Sequence, residues 1–175
     1  MIESNQEEPV IIDSKFKSYP AKYVFQTLMT VAASFIILIL LDAIAEAVVI
    51  ASFGASTFII FTMPHMSNSS PRRILGGNLA GTLVALAIHL LEIAATGFEI
   101  PWSRNTSLAL MGSLAIGISM FLMVITNTEH PPASGLALGL TLDGFNLRTA
   151  VITLVGVFIV FSVKQVLKRH LIDLV

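Results

Sequence analysis

The sequence predicts an all-α, polytopic membrane protein. It reads as a helical bundle that contains two interrupted or half-length segments and whose two groups of three segments can form an inverted repeat. Three observations predict this. Of the 175 residues, 55% are hydrophobic and only 12% charged, and the mean hydropathy is +0.85, far from the balance of a soluble domain. Several apolar runs approach the roughly 20 residues that cross a bilayer as a helix. Two further apolar segments carry Gly, Ala, Ser or Pro where a continuous span would not need them.

The segments follow in order. Residues 1–22 are acidic and then mildly basic, without an apolar core and small-residue cleavage site, so they read as a cytoplasmic N-terminal segment and not as a cleaved signal. The clear spans are Tyr23–Leu41, Ile74–Ala95, Ser107–Thr126 and Thr149–Leu167. Ala45–Pro64 is long enough to cross but contains "SFGAS", and Pro131–Leu142, "PPASGLALGLTL", is apolar but short. The membrane domain therefore covers residues 23–167, and 168–175 form a short basic tail.

Positive charge tests whether the two irregular segments cross. Lys15, Lys17 and Lys22 precede the first span, Arg72 and Arg73 follow the second segment, and Lys164, Lys168 and Arg169 end the last. Basic residues gather on the cytoplasmic side, and six crossings put all three groups there, leaving Arg148 outside. Six crossings give two groups of three running in opposite senses. Each group holds one interrupted segment, with "GAS" (Gly54–Ser56) in the first and "PAS" (Pro132–Ser134) in the second. Matching interruptions are the usual pointer to a midplane site in an inverted-repeat transporter.

In "NTEHPPASG" the prolines carry the local prediction. Proline suits the first helical position and pushes the preceding residue out of the helical region, so His130 should be extended and a new helix should start at Pro131 or Pro132. A helix N-terminus at membrane depth offers free N–H groups and the positive end of a dipole, a setting for an anion. Ala133, Ser134 and Gly135 would present those groups. In the first half a helix starting after Gly54 would present Ala55, Ser56 and Thr57 in the same way, running oppositely. The plainer reading makes the Pro-Pro pair a surface turn and Glu129 and His130 solvated interface residues. Ionisable residues beside a broken membrane helix are nevertheless functional candidates, and His130 and Glu129 are the candidates for proton linkage.

Other pairs are less informative. Asp42 and Glu46, four apart, read as a charged surface turn or a cation-collecting pair, while His89 and Glu92 can face each other on a helix or lie at the interface. Gly77 and Gly81 form a small-xxx-small pair, and Gly112 and Gly117 also allow close helix approach. Packing within the bundle or between copies in a homo-oligomer is the ordinary use of such glycines.

Much chemistry is excluded. With no cysteine, thiolate catalysis and cysteine metal sites are impossible. No histidine ligand spacing on a helix suggests a metal, and neither a phosphate loop nor a nucleophile elbow occurs. A net charge of −1 gives no reason to expect nucleic acid. The expectation is a non-enzyme without cofactor, whose surroundings are the lipid bilayer of a plasma or inner membrane.

Two blocks in order, "SFGASTFIIFTMPHMSNSSPRRILGGNLAG" and His130-Pro131-Pro132, resemble the HPP family of integral membrane proteins. The resemblance runs from about Tyr23 to Leu167. Here Ala133-Ser134-Gly135 follows the motif where many members read Ala-Gly-Ala, and "PHMSNSSPRR" replaces a Ser-Pro-x-x-x-Pro-Arg pattern. The family is commonly described with four spans, so six crossings add two short segments. Members are similar to nitrite transporters of plastids and cyanobacteria. The resemblance therefore implies a transporter or channel for nitrite or a related small monovalent anion. The anion would lie between the half-helix ends at Gly54–Thr57 and His130–Gly135. The alternative is a membrane assembly or sensor subunit without intrinsic transport.

Overall fold

The computed structural model describes residues 14–40, 46–95 and 103–175. Among these residues the chain forms seven α-helices and a 3-10 turn: α1 Ser14–Ser18, α2 Pro20–Leu40, α3 Ala47–Thr62, the turn Ser67–Ser69, α4 Pro71–Ala94, α5 Arg104–Thr126, α6 Pro131–Leu142 and α7 Leu147–Leu167. The protein is thus all-helical, and α4, α5 and α7 are each long and apolar enough to cross a membrane. α3 has 16 residues and α6 has 12, or roughly 24 and 18 Å at 1.5 Å per residue. Both are short of a bilayer core.

Caps explain where the helices start. α4 begins at Pro71, with Ser70 extended before it. Ser103 accepts from the Thr106 N–H at 3.2 Å at the head of α5, and Asn146 Oδ1 accepts from the Arg148 N–H at 2.9 Å at the head of α7. These polar side chains satisfy N–H groups that helix geometry leaves open.

The contacts between helices fix their directions. Gly77 and Gly81 of α4 lie against His130 and Ala133, so α4 and α6 run together. Gly112 of α5 lies against Leu138 and Leu142, while Ser119 reaches Ser134, so α5 runs against α6. On α3, Ser56 meets His130 and Val49 lies beside Gly139, which makes α3 antiparallel to α6. Thr149 Oγ1 donates to Glu46 at 2.5 Å, setting the starts of α7 and α3 side by side. Direction alternates from α2 to α7.

α6 occupies the middle, packed on α3, α4 and α5, while α7 covers α3 and α4 and α2 leans on α3. The main core joins Val49, Phe53, Phe61, Leu136, Leu140 and Val157. Large apolar side chains such as Leu91, Phe121 and Val166 face outward, which suits hydrocarbon surroundings better than water. An apolar groove of about 440 Å³ between α2 and α7, lined by Met29, Ala33, Phe53 and Val155 among others, is part of this lipid-facing side.

The chain beyond α7 is more than a basic tail. Leu171 and Leu174 are buried, and the segment crosses the end of the bundle as a strap. The Tyr23 hydroxyl donates to the Leu174 carbonyl at 2.8 Å, Gln26 donates to the Ile172 carbonyl at 3.0 Å, and the Leu174 N–H donates to Thr62 at 2.8 Å. His65 N–H donates to Asp173 Oδ1 at 2.9 Å. The strap lies at the end that carries Lys22, Arg72, Arg73 and Lys168, referred to below as the basic face.

Candidate functional site

The site forms where α5 stops and α6 starts. Asn127 closes α5 in the left-handed region at φ 55°, where asparagine is one of the few tolerated side chains. The Thr128 N–H folds back on the Met123 carbonyl at 2.9 Å. Arg72 donates to the Thr126 carbonyl at 2.6 Å, placing a cation on the negative end of α5. His130 is extended at φ −142°, ψ 90°, and α6 begins at Pro131, as expected from the two prolines.

His130 is 1% exposed and its Nε2 lies 2.9 Å from Ser56 Oγ, itself fully buried. The Ser52 hydroxyl, one turn earlier on the same face of α3, donates to the Pro132 carbonyl at 2.5 Å. From α5, the Ser119 hydroxyl reaches Ser134 Oγ at 3.3 Å and the Ile116 carbonyl at 3.0 Å. α4 supplies the floor. A Cβ at Gly77 would meet His130 Cβ at 2.5 Å, and one at Gly81 would run into the Ala133 carbonyl oxygen. Gly77 is six residues along α4 from Pro71, so His130 sits about 9 Å inside the basic face.

The structure brings together Ser56, His130, Pro132, Ala133, Ser134 and Gly135, and it corrects the rest of the expected site. α3 runs unbroken through Gly54, so no helix starts there and the two-ended anion site is not formed. α3 instead begins at Ala47, at the opposite end of its contact with α6. Glycine within a helix costs about 1 kcal/mol relative to alanine, too little to break one that is packed along its length. Ala55 and Pro131 are exposed, and the Thr57 hydroxyl donates to its own helix at the Phe53 carbonyl, 2.9 Å away. The N–H row on α6 is curtailed too, because Pro131 and Pro132 have none and Ala133 spends its own on the His130 carbonyl at 2.8 Å.

What α3 contributes is a pair of hydroxyls, Ser52 and Ser56, four residues apart on one face. Sequence reading missed Ser52 and Ser119, although the i,i+4 serine spacing in "SFGAS" was the available signal. Glu129 forms an ion pair with Arg73 at 3.5 Å, while the ring of His130 turns to Ser56. His89 stacks on Phe145 with centroids 5.8 Å apart. Asp42 lies outside the described residues. Glu46 accepts from the Thr149 hydroxyl, and burial together with the Glu46 charge holds the Asp143 carboxyl above the usual carboxylate range.

Chemically, this is a small neutral cluster of one imidazole and four serine hydroxyls at the positive end of α6. It is enclosed by helices and rests on glycines. Such a cluster can exchange hydrogen bonds with a small polar solute, and the dipole favours negative charge on it.

Residues 17–172 match the family described as HPP, transmembrane region. The chain is similar to a transmembrane protein of Dictyostelium discoideum, 31% identical over 91 residues that cover 52% of this chain and 29% of that protein. No solved structure matches the chain significantly. With nearly the whole length covered, from α1 to the strap, the chain belongs to the HPP transmembrane family.

Proposed function

We propose that the protein is a transporter for nitrite or a related small monovalent anion, which passes through the His130–Ser56 cluster. The observation that carries this reading is the burial of His130, 1% exposed, about 9 Å inside the basic face and at the head of α6. An ionisable side chain is expensive in such a place and is kept there for function. The serine hydroxyls and the imidazole N–H replace part of the anion's water shell, and the α6 dipole supplies field without a fixed charge that would trap the ion. If His130 takes a proton together with the anion, the pair crosses without net charge. The chemistry is movement of the anion, with no covalent step. The antiparallel pairing of α3 and α6 supports a reading of α2–α4 and α5–α7 as inverted halves.

Purified protein in liposomes is expected to admit nitrite, followed by loss of external nitrite or by quenching of an internal probe, faster than empty liposomes. No flux under any proton gradient would end the reading.

The basic face is cytoplasmic in this proposal, following the positive-inside rule. The chain has no cysteine, so single-cysteine variants report sidedness without background. Cysteines at Arg148 and Lys168 are expected to react with impermeant maleimide from opposite sides of the membrane. Reaction from one side would remove the sixth crossing.

A further inference from the structure

Lys164 of α7 is a buried cation that the proposed His130 route does not use. It is 3% exposed. Its ammonium donates to the Ser69 carbonyl at 2.5 Å and stands 5.1 Å from the Phe161 ring centroid. Among the described residues no carboxylate lies within 4.0 Å of it. Of the described acidic residues at this face, Glu129 pairs with Arg73, and Asp173 lies 3.8 Å from His65 while its charge also acts on Lys164 from beyond 4.0 Å. A buried ammonium with one backbone acceptor and one ring contact is costly, and its remaining N–H groups call for an acceptor.

The surroundings sharpen the request. Ser69 is fully buried, and its hydroxyl has no partner among the described residues. Two residues later α4 begins, with no side-chain cap from Ser70 and no N–H on Pro71, which leaves the Arg72 and Arg73 N–H groups without helical acceptors. The Ile74 N–H is the first to be returned, to Ser70 at 3.0 Å. Lys164 therefore sits at the positive end of a helix, where a cation is electrostatically misplaced. A buried ammonium, a buried serine hydroxyl and a helix N-terminus thus adjoin along Ser69–Arg73. The described carboxylates that act on them are Asp173, beyond 4.0 Å from Lys164, and Glu129, paired with Arg73.

We infer that Lys164, the Ser69 hydroxyl and the first free N–H groups of α4 hold a small monovalent inorganic anion at the basic face. The site stands apart from His130, since Arg73 is four residues, about 6 Å along α4, from Gly77. The anion is held here before or after its passage by His130, a role that rests on the transport reading above, whereas binding itself does not.

The test measures thermal unfolding of the full-length protein in detergent with sodium nitrite, nitrate or chloride, against sodium gluconate at equal ionic strength. Wild type is expected to gain about 2–4 °C with a small anion. The gain is expected to persist in His130→Ala, to shrink in Ser69→Ala and to vanish in Lys164→Met. Ser69→Ala removes only an unpartnered hydroxyl, so it stays informative if Lys164→Met does not fold. No gain in wild type with any small anion means the donors are met by water only and overturns the inference. A gain unchanged in Ser69→Ala but lost in His130→Ala also overturns it, because the anion then binds at His130 alone. A gain that follows the expected pattern, with no nitrite flux in liposomes, would uphold this site and reject the transport function.

Discussion

His130→Ala is expected to lower nitrite uptake into liposomes roughly tenfold to a hundredfold. Leaving a buried polar partner unsatisfied costs roughly 1–3 kcal/mol, and here Ser56 Oγ loses the ring nitrogen 2.9 Å away while the anion loses a donor. Ser56→Ala should cost less, because the ring keeps its place between the α4 glycines and the α6 prolines. His130→Asn separates two roles of the imidazole. An amide can still bond Ser56 and an anion but cannot carry a proton at neutral pH. If proton linkage runs through His130, this variant should retain some uptake and lose its dependence on a pH gradient. Wild-type rates in His130→Ala would remove His130 from the route.

Much of the arrangement around His130 was legible in the sequence, and the reasons are local. Proline fixes its own φ and constrains the residue before it, so Pro131 and Pro132 determine both the extended His130 and the first residue of α6. Apolar runs mark the long helices, but they misplace the starts of α4, α5 and α7 by two or three residues. The first turns carry Arg72, Arg104 and Arg148 behind polar caps, and hydropathy does not recognise those as helix.

The misreading of "GAS" has a different cause. Glycine, alanine and serine describe a break and a close helix contact equally well, and composition cannot distinguish them. The serines turn sideways to α6, 74 and 80 residues on in the chain. The same holds for Lys164 and Ser69, 95 residues apart, and for the strap, whose partners on α2 lie about as far away as the chain allows. A pattern within one segment cannot report a partner in another.

Gly81→Ala is expected to perturb the site as much as loss of the histidine, though it removes no chemistry. A Cβ at this position would run into the Ala133 carbonyl oxygen and lie 3.2 Å from its carbon, and these are main-chain atoms in the first turn of α6. A flexible side chain could swing away, but a helix start held by two prolines and by the Ser52 bond to Pro132 can yield only by moving α6. Overpacking of this kind costs about 1–3 kcal/mol, to be read as a fall of several degrees in melting temperature. Uptake should fall with it, since displaced α6 carries His130 away from Ser56. Two other glycines calibrate the result. At Gly112 the added carbon would meet the tip of Leu138 at 2.9 Å, a side chain that can give way, so Gly112→Ala should be milder. At Gly117 nothing lies within 4 Å, and alanine there should leave uptake intact and stabilise the helix by up to about 1 kcal/mol. Equal stability and uptake in Gly81→Ala and Gly117→Ala would mean that α4 does not set the position of α6. The close contact between α4 and the head of α6 would then have no part in holding the site.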